Sequence, residues 1–286
     1  MRPIPLPQLN FTDVLNTCVG SISNQPLTTR LNAINPQMNH AVQDFDLKAA
    51  TADLFQIIPF AGADADIVSG QVTKAELKGL YTFHLVPATK PARQYYDYLM
   101  MRAPLRICPF CGFGQVDTLD HYLPKAKFPL FSIHPNNLVP SCTPCNKGKS
   151  AGIATSKNEQ SLHPYFDQGH FINEQWLFAE VIETSPATVR YYAHPPNTWS
   201  ADDKARITNH FNDFKLAQRF CVQAGEELSN LRGELDIDFQ IGQQTAVKQA
   251  LIKKHAGSSL QHKNSWRTAM YQALMQNNWY CSGGFK

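Results

Sequence analysis

The sequence lacks any long apolar run. No stretch of its 286 residues is apolar over the length that a membrane-spanning helix needs. Its first ten residues include three prolines, where a signal peptide has a continuous apolar segment. These absences predict a globular protein of the cytoplasm that has no membrane partner.

Charged residues are also scarce, at 17% of the chain, whereas hydrophobic residues make up 43%. This composition is typical of a folded globular protein and excludes a disordered chain. The net charge of +3 is too small to indicate nucleic-acid binding by itself. Between residues 121 and 160, however, five lysines accompany one glutamate, so this segment carries +4 and the remainder carries −1. The positive charge is therefore concentrated in one segment.

The chain contains no internal repeat, so its organisation has to be inferred from local patterns. These patterns predict four regions: a helical region over 1–103, a turn-rich region over 104–165, a β-hairpin connection over 166–200 and a helical region over 201–286. The hairpin is predicted from β-favouring runs at Trp176–Glu183 and Val189–His194. Ser265 is expected to cap a late helix. The expected fold class is mainly α, or α+β, with one small ββα unit.

Two C-x-x-C pairs are the strongest motif in the sequence. Cys108 and Cys111 form the first pair, and Cys142 and Cys145 form the second. Four thiolates with this spacing complete a closed tetrahedral zinc site that leaves no position for a substrate. The pairs therefore predict a structural zinc ion that staples the central region. A rubredoxin-like iron site and four unrelated core cysteines are the alternatives.

The other three cysteines have no partner at such a spacing. They are expected to be small buried apolar residues: Cys18, Cys221 and Cys281.

A second set of motifs lies between and just after the cysteine pairs. The chain reads Asp120-His121-x-x-Pro124, then Asn137-Leu138, then Asn146 directly after the second cysteine pair. This order resembles the HNH, or ββα-metal, nuclease family. It is similar to the version found in RNA-guided CRISPR nucleases, in which asparagine fills the last position instead of histidine. The resemblance covers only the central part of the chain.

These residue types suit the hydrolysis of a phosphodiester. An imidazole titrates near neutral pH, so His121 is the candidate general base that deprotonates the attacking water. Asp120 and the side-chain carbonyl of Asn146 are hard oxygen donors, which favour Mg²⁺ or Mn²⁺. A catalytic metal there polarises the phosphate and stabilises the leaving oxygen.

The resemblance implies further roles. It implies that Asn137 orients the base or its loop, and that Asn146 lies at the start of a helix whose positive end faces phosphate. Lys147 and Lys149 are candidate substrate-binding residues, although an ordinary solvated face is an equal alternative for each. His163, in a His-Pro-Tyr element after the motif, is a further candidate for substrate contact. His134 is expected to be a solvated loop histidine, and a second base or a phosphate contact is the alternative.

The predicted function is that of an endonuclease that cleaves nucleic acid with one metal ion and a histidine base. DNA is the favoured substrate, and an HNH-type ribonuclease is an alternative. A zinc-ribbon module that binds nucleic acid or protein without catalysis is the alternative from a different class. The layout also resembles the HNH nucleases encoded beside ATPases in Septu and retron-associated anti-phage systems. That resemblance implies an antiviral effector with an ATPase as its protein partner.

Overall fold

A computed structural model describes residues 1–148 and 152–286 of the chain. The fold is mainly helical, with small two-stranded antiparallel sheets. This agrees with the mainly α class predicted from the sequence. Among the described residues, no helix combines the length and the apolar character needed to cross a bilayer.

The chain forms two compact units. The amino-terminal unit comprises Pro3–Asp167, and the carboxy-terminal unit comprises Gln168–Lys286 together with Met1–Arg2. The predicted regions 1–103 and 104–165 thus fall, apart from the first two residues, within one unit.

The amino-terminal unit carries these elements in chain order: α1 (Phe11–Gly20), α2 (Gln25–Ala33), α3 (Asn35–Ala50), β1 (Ile67–Ser69), β2 (Val72–Thr73), α4 (Lys74–Gly79), α5 (Arg93–Met100), β3 (Thr118–His121), β4 (Leu138–Ser141) and α6 (Thr143–Gly148). Side-chain caps at Asn10 and Asn24 begin the first two helices, and Thr73 begins α4 through a capping box with Glu76. A π-helical segment, Leu80–Leu85, continues α4. The core of the unit is apolar and includes Phe45, Leu77, Leu85, Ile133 and Leu138.

Strands β3 and β4 and helix α6 follow one another around the second cysteine pair. The strands pair antiparallel, with Asp120 opposite Val139. The carbonyl of Cys142 accepts hydrogen bonds from the backbone N–H groups of Cys145 (2.9 Å) and Asn146 (3.0 Å). These bonds form the first helical turn directly after the strand.

Helix α6 begins at Thr143, so Asn146 lies in its first turn. Pro144 explains the exact start, because its fixed φ suits the first turn of a helix and its missing N–H is not needed there.

The carboxy-terminal unit carries the remaining elements: α7 (His170–Asn173), β5 (Leu177–Ile182), β6 (Thr188–Ala193), α8 (Ala201–Asp213), α9 (Leu216–Gln261) and α10 (Trp266–Gln276). A π-helical segment, Tyr280–Gly284, follows α10. The predicted hairpin is confirmed, because β5 and β6 pair antiparallel. The predicted cap at Ser265 is also confirmed, since its hydroxyl accepts a hydrogen bond from the backbone N–H of Thr268 at 3.0 Å.

Helix α9 is a helical hairpin and not one straight rod. Its backbone leaves the helical region at Gly242 (φ −144°, ψ 20°) and Gln243 (φ 52°, ψ −148°). Lys254 forms an ion pair with Glu234 at 2.8 Å, whereas residues this far apart in a straight helix would be separated by about 30 Å. The two arms of α9, residues 216–241 and 244–261, therefore run antiparallel.

The tight turn in α9 generates a prediction. Gln243 adopts a backbone conformation that is almost exclusive to glycine and costs another residue about 1–3 kcal/mol. We expect Gln243→Gly to raise the free energy of unfolding by about 1 kcal/mol, because relief of this strain exceeds the entropic cost of glycine. Urea unfolding of the full chain, followed by helical circular dichroism, measures the change.

The control is the same substitution at Gln249, an exposed residue inside the second arm. Gln249→Gly should lower stability by about 1 kcal/mol, because glycine is a poor helix former. Equal losses in the two variants would contradict a strained turn at Gln243.

Candidate functional site

The two C-x-x-C pairs converge on one buried cluster. The sulfur atoms of Cys108, Cys111, Cys142 and Cys145 all lie within 4.8 Å of one another. The Sγ atoms of Cys111 and Cys142 are 3.9 Å apart. A tetrahedral ion with metal–sulfur bonds of about 2.3 Å requires sulfur–sulfur distances of about 3.8 Å. The four cysteines therefore fit a zinc ion, as the sequence predicted.

The turn around the first pair is shaped by its glycines. The N–H of Gly112, which has a φ of +77°, donates to the carbonyl of Cys108 at 2.8 Å. The N–H of Gly114 donates to the sulfur of Cys111 at 3.3 Å. A Cβ atom on Gly114 would lie 2.8 Å from the sulfur of Cys142. Only glycine at position 114 leaves room for the cluster.

The thiols of the cluster do not ionise alike. The pKa of Cys111 is lowered by hydrogen bonds from the neighbouring thiols, of which Cys108 contributes most. A hydrogen bond from Cys108 also lowers the pKa of Cys142, to about 7. Burial raises the pKa of Cys108, and hydrogen bonds to the other sulfurs raise that of Cys145. A cation is therefore needed before all four sulfurs can become thiolates together.

His121 is the last residue of β3 and is half-buried. Its Nε2 lies 2.8 Å from the carbonyl oxygen of Ser132. Because a carbonyl only accepts hydrogen bonds, Nε2 carries the proton in the neutral ring and Nδ1 is the basic nitrogen. The hydroxyl of Ser132 donates to the carbonyl of Leu77 at 2.6 Å, and the ring of Tyr81 contacts the His121 ring edge-on at 4.5 Å. The orientation of the imidazole is thus fixed from two sides.

Asn137 is fully buried and holds the loop between the two strands. Its Oδ1 accepts from the N–H of Leu123 at 2.7 Å. Its Nδ2 donates to the carbonyls of Leu123 (3.0 Å) and Phe131 (3.1 Å). These bonds close the loop that leads to Ser132. Asn137 therefore acts on His121 indirectly, through the carbonyl of Ser132.

Asn146 contacts β3, the strand that carries Asp120, through Thr118. The side-chain amide of Asn146 donates to the hydroxyl of Thr118 at 3.3 Å. Thr118 and Asp120 are two residues apart on β3, so their side chains lie on the same face of the strand. The helix therefore brings Asn146 to the face that carries Asp120, which is buried at 5% exposure.

The other predicted site residues differ in their positions. Lys147 is exposed on α6, directly after Asn146. Lys149 lies outside the described residues. His163 is buried at 2% exposure, and its ring packs on that of Tyr122 at 4.1 Å. That burial disfavours direct contact between His163 and a substrate, and its role remains a prediction.

His134 is not the solvated histidine expected from the sequence. It is buried at 2% exposure, its ring contacts Phe45 at 4.9 Å, and its Nε2 lies 3.0 Å from a carboxylate oxygen of Asp46. The expectation was wrong because a polar side chain in a loop can be buried when another segment supplies its hydrogen-bond partner. Here α3 supplies Asp46.

The cysteines outside the cluster are largely as expected. Cys18 and Cys281 are buried, whereas Cys221 is partly exposed. Burial raises the pKa of Cys18 to about 12, so its thiol stays neutral.

Three residues around the site were not predicted from the sequence. Tyr81 contacts His121, and Thr118 contacts Asn146. The ammonium of Lys125 lies 4.3 Å from the ring centroid of Tyr81. Burial lowers the pKa of Lys125, and the positive charge of the nearby Lys78 lowers it further. Lys125 could have been found, because it directly follows Pro124 of the motif, but no sequence pattern marks Tyr81 or Thr118.

The fold and the cluster define a mainly helical protein with a four-cysteine metal-type centre. Protein ea31 of Escherichia phage lambda is 32% identical to it over 298 aligned residues, which cover 99% of this chain and 100% of that protein. The chain belongs to the family of this phage protein. No protein-family model matches the chain, and no solved structure matches it.

The space around Gly114 generates a prediction. Gly114→Ala should displace the sulfur of Cys142, lower the affinity for zinc and reduce stability by about 1–3 kcal/mol. Zinc per chain after dialysis against a chelator, together with thermal unfolding, measures both effects. The control is Gly20→Ala, where the added Cβ would meet nothing within 4 Å. If Gly114→Ala retains zinc as tightly as that control, the cluster is not the zinc site.

Proposed function

We propose that this protein is an HNH, or ββα-metal, endonuclease that hydrolyses phosphodiester bonds of nucleic acid. One observation carries the proposal. The hydrogen bond from Asn146 on α6 to Thr118 on β3 joins two motif segments at the strand that carries Asp120 and His121. Neither a structural zinc site nor the helical core requires these residue types together.

A Mg²⁺ or Mn²⁺ ion fits the donors present. Asp120 offers a carboxylate and Asn146 a carbonyl oxygen, and Mg²⁺ is commonly held by one or two protein oxygens with its remaining positions left for water and phosphate. When bound, the ion supplies Lewis-acid stabilisation of the phosphate and of the leaving oxygen. The cysteine cluster keeps a separate, structural role, because four thiolates leave no open position on zinc.

His121 performs the proton transfer in this proposal. Its Nδ1 takes the proton from the attacking water, which leaves an imidazolium. The carbonyl of Ser132 accepts the Nε2–H bond and stabilises that positive charge. Asn137 keeps the carbonyl in place through the loop.

The substrate is a polyanion, and the site has cations to meet it. Lys125 lies beside Tyr81, and Lys147 is exposed on α6. Such residues contact the phosphate backbone and position it without reading the sequence. DNA is the favoured substrate, and RNA cleavage would be an alternative outcome of the same chemistry.

A protein partner forms part of the proposal as well. The resemblance to HNH nucleases of Septu and retron-associated anti-phage systems suggests an antiviral effector that acts with an ATPase. Copurification of the untagged native complex tests this. A strictly monomeric protein with full activity would count against a partner.

The division of roles in the site generates a prediction for plasmid nicking. His121→Ala should reduce the rate about 10²- to 10⁴-fold while Mn²⁺ binding is retained, because the imidazole handles the proton and not the cation. Asp120→Ala and Asn146→Ala should lose activity together with Mn²⁺ affinity, so that excess Mn²⁺ partly restores them. Asn137→Ala should show a smaller defect than His121→Ala.

The matched control for Asn137 is its neighbour Asn136, whose amide donates to Asp46 at 2.8 Å and not to the loop. Asn136→Ala should nick at a rate close to wild type. Wild-type protein that cleaves neither DNA nor RNA with any divalent ion would favour the non-catalytic zinc-ribbon alternative. Normal cleavage by His121→Ala would remove the base assignment alone.

A further inference from the structure

The amide of Asn146 must present a particular end to a cation. Its oxygen attracts a metal ion and its NH₂ group repels one, although the two ends are nearly identical in shape. An amide that turned freely would spend part of its time in the wrong orientation. A neighbouring group that accepts a hydrogen bond from the NH₂ end removes this ambiguity.

Thr118 is such a neighbour. Its Oγ1 lies 3.3 Å from Nδ2 of Asn146 and accepts a hydrogen bond from it. The backbone of Thr118 is fixed by antiparallel pairing with Ser141. The acceptor is therefore held by the sheet and does not depend on a flexible loop.

The proton of the Thr118 hydroxyl has its own acceptor. The hydroxyl donates to the carbonyl of Leu119 at 3.5 Å. Because a carbonyl only accepts hydrogen bonds, this bond occupies the single proton of the hydroxyl and leaves its oxygen to accept from Asn146. The order of donors thus runs from Asn146 to Thr118 to the carbonyl of Leu119.

We infer that Thr118 is a positioning residue that selects the oxygen of Asn146 as a metal ligand. The inference rests on the proposed function, because it assumes a divalent ion between Asn146 and Asp120. Thr118 and Asp120 share a face of β3, so the selecting hydroxyl and the second ligand belong to the same strand. One strand therefore supplies a ligand directly and orients another ligand from α6.

The test measures Mn²⁺ affinity of the zinc-loaded full chain by the electron paramagnetic resonance signal of free Mn²⁺. Thr118→Val removes the hydroxyl but keeps the shape and suits a strand. We expect it to weaken Mn²⁺ binding by about 10- to 100-fold, the usual effect of losing a group that orients a metal ligand. Thr118→Ser keeps the hydroxyl and should stay close to wild type. The control is Thr143→Val on α6, whose hydroxyl donates to Asp117 at 2.9 Å, and it should not change the affinity.

A double-mutant cycle separates orientation from general structural damage. In Asn146→Asp, both ends of the side chain are oxygens, so no orientation is needed. Thr118→Val should then have little further effect on Mn²⁺ affinity, whereas a purely structural role would give equal losses in both backgrounds. Equal losses, or wild-type affinity in Thr118→Val, overturn the inference. If Thr118→Val does not fold, as judged by zinc content, Thr118→Ala is assessed by the same criteria.

Failure of the proposed function has a different signature. Wild-type protein would then bind no Mn²⁺ in a manner that depends on Asp120, and would not nick any substrate. If wild type binds Mn²⁺ through Asp120 and Thr118→Val binds it equally well, only the role of Thr118 is lost.

Discussion

The cysteine cluster is the constraint on which the candidate site depends. Cys142 follows β4 directly, and Cys145 lies inside α6. Convergence of their sulfurs with those of the first pair fixes where α6 starts and how it leaves the hairpin. Asn146 is the next residue after Cys145, so the same constraint brings its amide to Thr118. The described part of α6 has six residues, and so short a helical segment has little stability of its own, so its position depends on the cluster.

The loop between β3 and β4 is stabilised in a different way. It contains short 3₁₀ turns at Pro129–Phe131 and Pro135–Asn137, and it depends on buried polar bonds. Asn137 supplies three of these bonds to backbone groups, and each would be costly to leave unsatisfied in the interior. The carbonyl that orients His121 belongs to this loop. The position of the His121 ring thus depends on the buried amide of Asn137. The position of the Asn146 amide depends instead on the turn that carries the second cysteine pair.

Much of this arrangement could be predicted from the sequence, but not all of it. The cysteine spacing predicted the cluster, because four thiolates at those intervals have few other uses. The β-favouring runs predicted the hairpin of β5 and β6. The contacts of Tyr81 and Thr118 could not be predicted, because they depend on how distant segments pack. The burial of His134 was missed for the same reason, since its partner Asp46 lies on another helix. The turn at Gln243 could not be predicted, because a glutamine does not indicate a backbone conformation that is typical of glycine.

The two metal sites of the proposed enzyme would be kept apart by their donors as well as by their geometry. Thiolates are soft ligands that favour zinc, whereas the oxygens of Asp120 and Asn146 are hard ligands that favour Mg²⁺ or Mn²⁺. All four cysteines are buried, so a zinc ion bound by them would be enclosed by protein. The proposed Mg²⁺ or Mn²⁺ ion would be held by two protein oxygens, which leaves positions for phosphate. Cys145 and Asn146 are adjacent in sequence yet would serve different sites, because the side chain of Cys145 points into the cluster and that of Asn146 points toward Thr118. In the proposed enzyme, the first turn of α6 would therefore link folding to catalysis without allowing one ion to replace the other.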